Sequence, residues 1–282
     1  MGSGTILDGT GKKHSLTVMN QQKEKTPLFS KSHQPGESFN KHRKIYHLFG
    51  LLIPLIFYFN TFDYLFTTSF KETTRSISFY ILLGLNIFLW IVEILRFNFE
   101  WWQDLFIKTA GKLLKEKEYT KIHSSVPFLL SNMLVVGFMP KELAVLSIAF
   151  LLIGDPVAAY VGEHYGSIRF KNGKSIQGML GGMTSAFLAG LFFLLLVTLW
   201  LDPKSPFVLW NENGLNGIAW MVLVAGSISA FLFELISGHG LLDDNMTIPL
   251  GSSFVMVWTY SVLTGLSFSE ILYSWRDLLF PH

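Results

Sequence analysis

The sequence predicts an all-α fold, a polytopic membrane helix bundle of about seven transmembrane helices with one further amphipathic helix lying in the interface. Half of the 282 residues are hydrophobic, only 15% are charged, and phenylalanine alone contributes 26; a soluble domain carries about 25% charged residues. Apolar runs recur at 45–60, 77–95, 125–139, 143–163, 178–201, 215–236 and 248–266, most of them near the ~20 residues a spanning helix needs. Basic residues crowd into alternate loops. The chain contains no cysteine, which excludes disulfides, thiolate nucleophiles and cysteine metal sites.

Residues 1–41 hold Gly, Ser, Lys, Gln and His without apolar periodicity, the signature of a disordered, basic, solvated tail. A transmembrane catalytic domain is expected over 42–266 and a C-terminal tail over 267–282. The first and third apolar runs are short, and Pro54 interrupts the first, so both are candidates for kinked or re-entrant segments. Lys41, Arg43 and Lys44 precede the first run, Lys108 through Lys121 separate the second and third, and Arg169, Lys171 and Lys174 separate the fourth and fifth. The opposite loops hold only Lys71, Arg75, Lys141 and Lys204, so the positive-inside rule places the N-terminus in the cytoplasm of a multi-pass protein. Between the second and third runs, Trp102, Leu105, Phe106, Thr109 and Leu113 recur at helical spacing, with Trp101 and Trp102 as the anchor of the interfacial helix. Gly182, Ala186 and Gly190 form a small-residue stripe, read as internal packing with a homodimer seam as the alternative.

Four polar clusters fall at the ends of runs, all on the side assigned to the cytoplasm: Arg43, Lys44 and His47; Glu93 and Arg96; Asp155 through Lys174; and Glu234 through Asn245. Asp155 is the most telling, because an ionisable side chain at membrane depth costs about 2.5–3.5 kcal/mol on insertion scales and is by default a functional-site candidate. Asp155 with Asp243 and Asp244 would supply few, hard oxygen ligands, a set that suits Mg²⁺ with water and phosphate oxygens completing it. Arg43, Lys44, Arg169 and Lys174 are candidates to neutralise phosphate, against the alternative that they only set topology. Glu93 and Arg96 share a helix face and fit an ion pair. Gly173-Lys174-Ser175 is not the end of a Walker A loop, since Ile168 stands where its first glycine belongs. No H-E-x-x-H zinc site occurs.

Gly154-Asp155-Pro156 through Gly162, then Tyr165-Gly166, Lys174-Ser175 and Gly178, resembles the motif of the CTP-dependent lipid kinases, which include dolichol, phytol and diacylglycerol kinases. Asp243-Asp244-Asn245-Met246-Thr247-Ile248-Pro249-Leu250, preceded by Glu234, resembles their second hallmark, and Arg43-Lys44 with His47 their early basic motif. The resemblance spans roughly 42–266 and implies transfer of the γ-phosphate of CTP to the hydroxyl of a membrane lipid with Mg²⁺. It implies metal binding by Asp155, Asp243 and Asp244, and phosphate neutralisation by Arg43, Lys44 and Lys174. Close backbone approach falls to Gly154, Gly162 and Gly178, nucleotide contacts to Arg169, Ser175 and Asn245, and support to Glu93, Arg96, Glu234 and His47. The partners are then a nucleoside triphosphate and a lipid acceptor, with no nucleic acid. The chain departs from the family at Glu163-His164, where arginines are common. Two other readings stay open: a phosphatidate cytidylyltransferase, whose Ser-Pro-Lys-Lys-Thr run is missing, and a transporter, which predicts polar clusters on both faces.

Overall fold

The computed structural model describes residues 49–110, 121–237 and 242–281, together with short N-terminal strands at Thr5–Leu7, Lys13–Ser15 and Phe29–Ser30. Helices follow in order: α1 (Leu52–Tyr58), α2 (Thr61–Leu65), α3 (Thr73–Asn98), α4 (Glu100–Ala110), α5 (Ser125–Phe138) and α6 (Lys141–Ala149). The second half holds α7 (Asp155–Tyr165), α8 (Ile176–Leu196), α9 (Gly217–Ile236), α10 (Asp244–Thr264), α11 (Phe268–Ile271) and α12 (Trp275–Leu279). A π-helical turn at Phe150–Gly154 joins α6 and α7 into one rod, and another at Val197–Leu201 extends α8. Among the described residues, five helices are long and apolar enough to cross a membrane: Thr73–Asn98, Lys141–Tyr165, Ile176–Leu201, Gly217–Ile236 and Asp244–Thr264. The chain is an integral membrane protein.

The two runs read as short are the two that do not reach spanning length. α1 has 7 residues and stops before Asn60, which adopts the left-handed conformation at φ 50°; asparagine tolerates that region, and the helix cannot continue through it. α5 has 14 residues, about 21 Å of helix, and buries Val126, Ser131, Asn132, Val135 and Val136 among its neighbours. α4 forms where the amphipathic pattern predicts it, with Trp101 and Leu105 exposed and Trp102 and Phe106 half-buried. Leu113, expected on its apolar stripe, lies outside the described residues, as does most of the tail over 1–41.

α6 is the centre of the bundle. Leu143, Leu146, Phe150 and Leu151 face one apolar cluster with α8, α9 and α10, while Ala144, Val145, Ile148 and Leu152 face a second with α1, α3 and α5. A helix apolar on every side belongs inside. The Gly182-Ala186-Gly190 stripe is covered within the chain, Gly182 by the Phe231 ring and Gly190 by Leu223, Leu146 and Phe150.

The segment over 267–281 packs as a strap across the end of the bundle where α3 begins. The Tyr273 amide donates to the Phe138 carbonyl at 2.9 Å, Lys71 pairs with Asp277 at 2.7 Å, and Leu278 is fully buried against Phe79 and Gly137. Arg75 ties this end together, donating to the Val136 and Met139 carbonyls at 2.8 Å and lying over the Phe57 and Tyr273 rings. It thereby satisfies the open C-terminus of α5 with a cation. Leu278→Ala is expected to destabilise the fold by about 3 kcal/mol through the cavity it leaves, read as a lowered thermal midpoint in detergent, while the site at the other end keeps its ligand affinity.

Candidate functional site

Asp155 begins α7 inside the continuous rod, and the 11 residues of α7 carry about 15 Å of helix beyond it. Pro156 lacks an N–H, so the Leu152 carbonyl loses its α-helical partner. The ladder widens into the π turn at Phe150–Gly154 directly before the carboxylate. The helix thus continues through Asp155-Pro156, as the apolar run over 143–163 predicts.

Glycines bring three helices into backbone proximity around this point. A Cβ on Gly154 or on Gly182 would collide with the Phe231 ring, so that ring from α9 is wedged between α8 and the end of the π turn. One step further along, a Cβ on Gly162 would meet Ser175 Oγ at 3.0 Å, and one on Gly178 would meet the Ala158 carbonyl at 2.7 Å. Gly154, Gly162 and Gly178 therefore serve helix packing. Ser175, buried, caps α8 by accepting from the Gly178 amide at 3.0 Å.

The loop between α7 and α8 is a tight antiparallel hairpin. The Phe170 amide donates to Lys174 O at 2.8 Å, the Gly173 amide to Phe170 O at 2.9 Å, and Gly173 takes φ 85°, which glycine adopts without strain. The Arg169–Phe170 strand also pairs with Phe29–Ser30. Arg169 fastens the hairpin from within, donating to the Gly173 and Gly162 carbonyls at 2.9 Å each. Gln177 holds its base, accepting from the Ser167 amide at 3.2 Å and donating to Ser167 Oγ at 2.6 Å. Glu163 and His164 are exposed, with the His164 ring against Tyr160.

Lys174 reaches from the hairpin to the end of α9. Its ammonium donates to the Glu234 carbonyl at 2.6 Å and to Ser237 Oγ at 3.0 Å, and it pairs with the Glu234 carboxylate at 3.1 Å. Glu234 is buried, and Lys174, Asp155 and Asp244 are its charged neighbours. Four segments, α7, the hairpin, α9 and α10, thus place ionisable groups in one electrostatic cluster. At the start of α10, the buried Asn245 amide donates to Asp243 Oδ2 at 3.0 Å and to Asp244 Oδ1 at 3.3 Å, orienting both carboxylates. Ser131 of α5 anchors that corner by donating to the Asn245 carbonyl at 2.8 Å.

Glu93 and Arg96 form the buried ion pair their spacing predicts, at 2.5 Å. Its further bonds go to the Lys121 carbonyl and the His123 amide at the entry to α5, a station apart from the Asp155 cluster. Ser125, where α5 starts, lies six residues, about 9 Å, before the Ser131 contact with α10. Arg43, Lys44 and His47 lie outside the described residues.

Among the described residues no three His, Asp or Glu side chains gather closely enough to hold a metal by themselves. The donor chemistry nevertheless fits Mg²⁺, which is held by one or two carboxylates with phosphate oxygens and water in the remaining positions. Asp155 and Asp244, from separate helices and both charged neighbours of Glu234, are such a pair.

No family model matches the chain, and no solved structure matches it. Curated relatives do. The chain is 29% identical over 167 residues to CTP-dependent diacylglycerol kinase 1 of Schizosaccharomyces pombe, covering 58% of this chain and 72% of that protein. It is 26% identical over 239 residues to CTP-dependent diacylglycerol kinase 1 of Saccharomyces cerevisiae, covering 82% of this chain and 78% of that one. An uncharacterized protein of Rickettsia prowazekii, RP860, is 26% identical over 215 residues, 75% of this chain and 90% of its own length. The chain is similar to CTP-dependent lipid kinases.

Of the site residues, Asn172, Gln177, Ser131 and Ser237 escaped the sequence reading. Only the Asn172-Gly173 pair carried a signal, a turn. The packing geometry makes a sharp prediction. Gly162→Ala should lower the folded yield, and adding Ser175→Ala, which removes the atom the new methyl meets, should restore part of it. Gly178→Ala meets a backbone carbonyl instead, so Ser175→Ala should leave its defect in place, as size-exclusion profiles of the purified variants would record.

Proposed function

We propose that the protein is a lipid kinase that transfers the γ-phosphate of CTP to the hydroxyl of a lipid alcohol, with Mg²⁺, at the cytoplasmic face of its membrane. The observation that carries the reading is the convergence of Asp155, Lys174, Glu234 and Asp244 at one end of an apolar bundle, in a chain similar to CTP-dependent diacylglycerol kinases. Phosphoryl transfer asks a protein mainly for positioning and charge neutralisation. Groups held in an apolar, water-poor surround act on developing charge more strongly than the same groups in water.

Asp155 and Asp243-Asp244 are the residues that would hold Mg²⁺, which would screen the triphosphate charge. Asn245 keeps the two α10 carboxylates turned to one side. Lys174 brings positive charge beside Glu234, Asp155 and Asp244 without leaving its hydrogen bonds. Arg43 and Lys44, from the early basic motif, are assigned to the phosphates, with His47 in support. The lipid tail would rest against the apolar helix faces, with its hydroxyl at the polar end. A diacylglycerol is the acceptor the named relatives suggest.

The test supplies purified protein in nanodiscs with CTP labelled at either the α- or the γ-phosphate, Mg²⁺, and a panel of diacylglycerol, dolichol and phytol. Label from the γ-position is expected in lipid. Label from the α-position in lipid would instead mean nucleotidyl transfer and end the kinase reading. Asp155→Asn and Asp244→Asn should each lower kcat/KM by roughly 10²–10³, the scale of losing one electrostatic contact to the transferring group.

A further inference from the structure

We infer that the hairpin between α7 and α8 is a C-terminal cap supplied in trans to α9, and that Asn172 is a positioning residue acting through it; its kinetic part rests on the kinase reading above. The last carbonyls of a helix have no intrahelical donors and carry the negative end of its dipole. At the end of α9 these carbonyls are met by side chains of the hairpin, Glu234 O by Lys174 Nζ at 2.6 Å and Leu235 O by Asn172 Nδ2 at 2.8 Å. Ser237 closes the group, donating to Glu234 O at 2.7 Å and accepting from Lys174 at 3.0 Å.

Asn172 works at both ends of the cap. Its Oδ1 accepts from the Lys174 amide at 3.2 Å while its Nδ2 holds α9, so the turn and the helix end are fixed by one side chain. An ammonium has three donors, and those of Lys174 point at Glu234 O, Ser237 Oγ and the Glu234 carboxylate. The cation is therefore a brace, and what it braces is the buried carboxylate that neighbours Asp155 and Asp244. Asn172 touches none of those carboxylates and governs them only through the seating of the hairpin.

The experiment exploits the absence of cysteine from the chain. Lys171→Cys places a single nitroxide label at the exposed tip, and its spectrum is recorded for the full chain in nanodiscs with Asn172 intact, with Asn172→Ala and with Asn172→Asp. Asn172→Asp keeps the Oδ1 acceptor for the Lys174 amide and replaces the donor to Leu235 O by a charged oxygen that the carbonyl repels, while Asn172→Ala removes both bonds without adding charge. Both substitutions are expected to add a mobile component to the label. In unlabelled chains both should raise KM for CTP about fivefold, the scale of one neutral hydrogen bond, with KM for the lipid unchanged. An Asn172→Asp label as immobile as the parent overturns the cap. A mobile label with unchanged KM for CTP overturns the positioning role. A mobile label in a protein that phosphorylates no lipid, even with Asn172 intact, retires the kinase reading and leaves the cap standing.

Discussion

The Phe231 ring between Gly154 and Gly182 is the contact on which the site depends. Phe231 is completely buried, and a side chain on either glycine would push α8 or the π turn away from α9. Glu234 lies three residues on and so shares the face of Phe231, while Asp155 directly follows Gly154. Seating one ring fixes the separation of two helices and, with it, the relation of two carboxylates. Substituting these glycines would therefore displace Phe231 from the apolar core and, through it, disturb the charges.

Burying carboxylates in an apolar bundle is costly unless each has a partner. The chain answers at different depths in different ways. Glu93 has Arg96 beside it on the same helix, a local pair that needs no tertiary fold. Glu234 has Lys174, which arrives from 60 residues away in sequence and only when α8 is docked. Asp243 and Asp244 share the amide of Asn245 at a helix N-terminus, where the dipole itself favours negative charge. The local pair is structural in character. The assembled cluster exists only in the folded chain.

Much of this was legible in the sequence. The long apolar runs, the ion pair at Glu93 and Arg96, and the grouping of Asp155, Lys174, Glu234 and Asp244 follow from hydropathy, spacing and motif order. What stayed hidden was the identity of hydrogen-bond partners. Arg169 and Lys174 read as candidates to neutralise phosphate or to set topology; that both also donate to backbone carbonyls could not be read, because a carbonyl leaves no trace in a sequence. Gly154, Gly162 and Gly178 read as points of close backbone approach, but the sequence did not show that Phe231, Ser175 and the neighbouring backbone are what approaches them. Burial of the strap at Leu278 was equally silent, since a short apolar stretch near a terminus has no periodicity long enough to mark it.

The two ends of the bundle are held by bonds of different burial, and this divides their mechanical roles. The strap end is closed chiefly by buried groups, Arg75 on two carbonyls and two rings and Leu278 in the apolar cluster, with the exposed Lys71–Asp277 pair outside them. Opening it would expose apolar surface and a buried cation together. The site end is closed by side chain to backbone bonds at partly exposed positions, such as Asn172 to Leu235, whose loss exchanges one hydrogen bond for another to water. Local opening draws on the least costly contacts. Rearrangement on ligand arrival would then fall on the hairpin and the α9 terminus, while the shared helix α6 keeps the spacing of the spans unchanged.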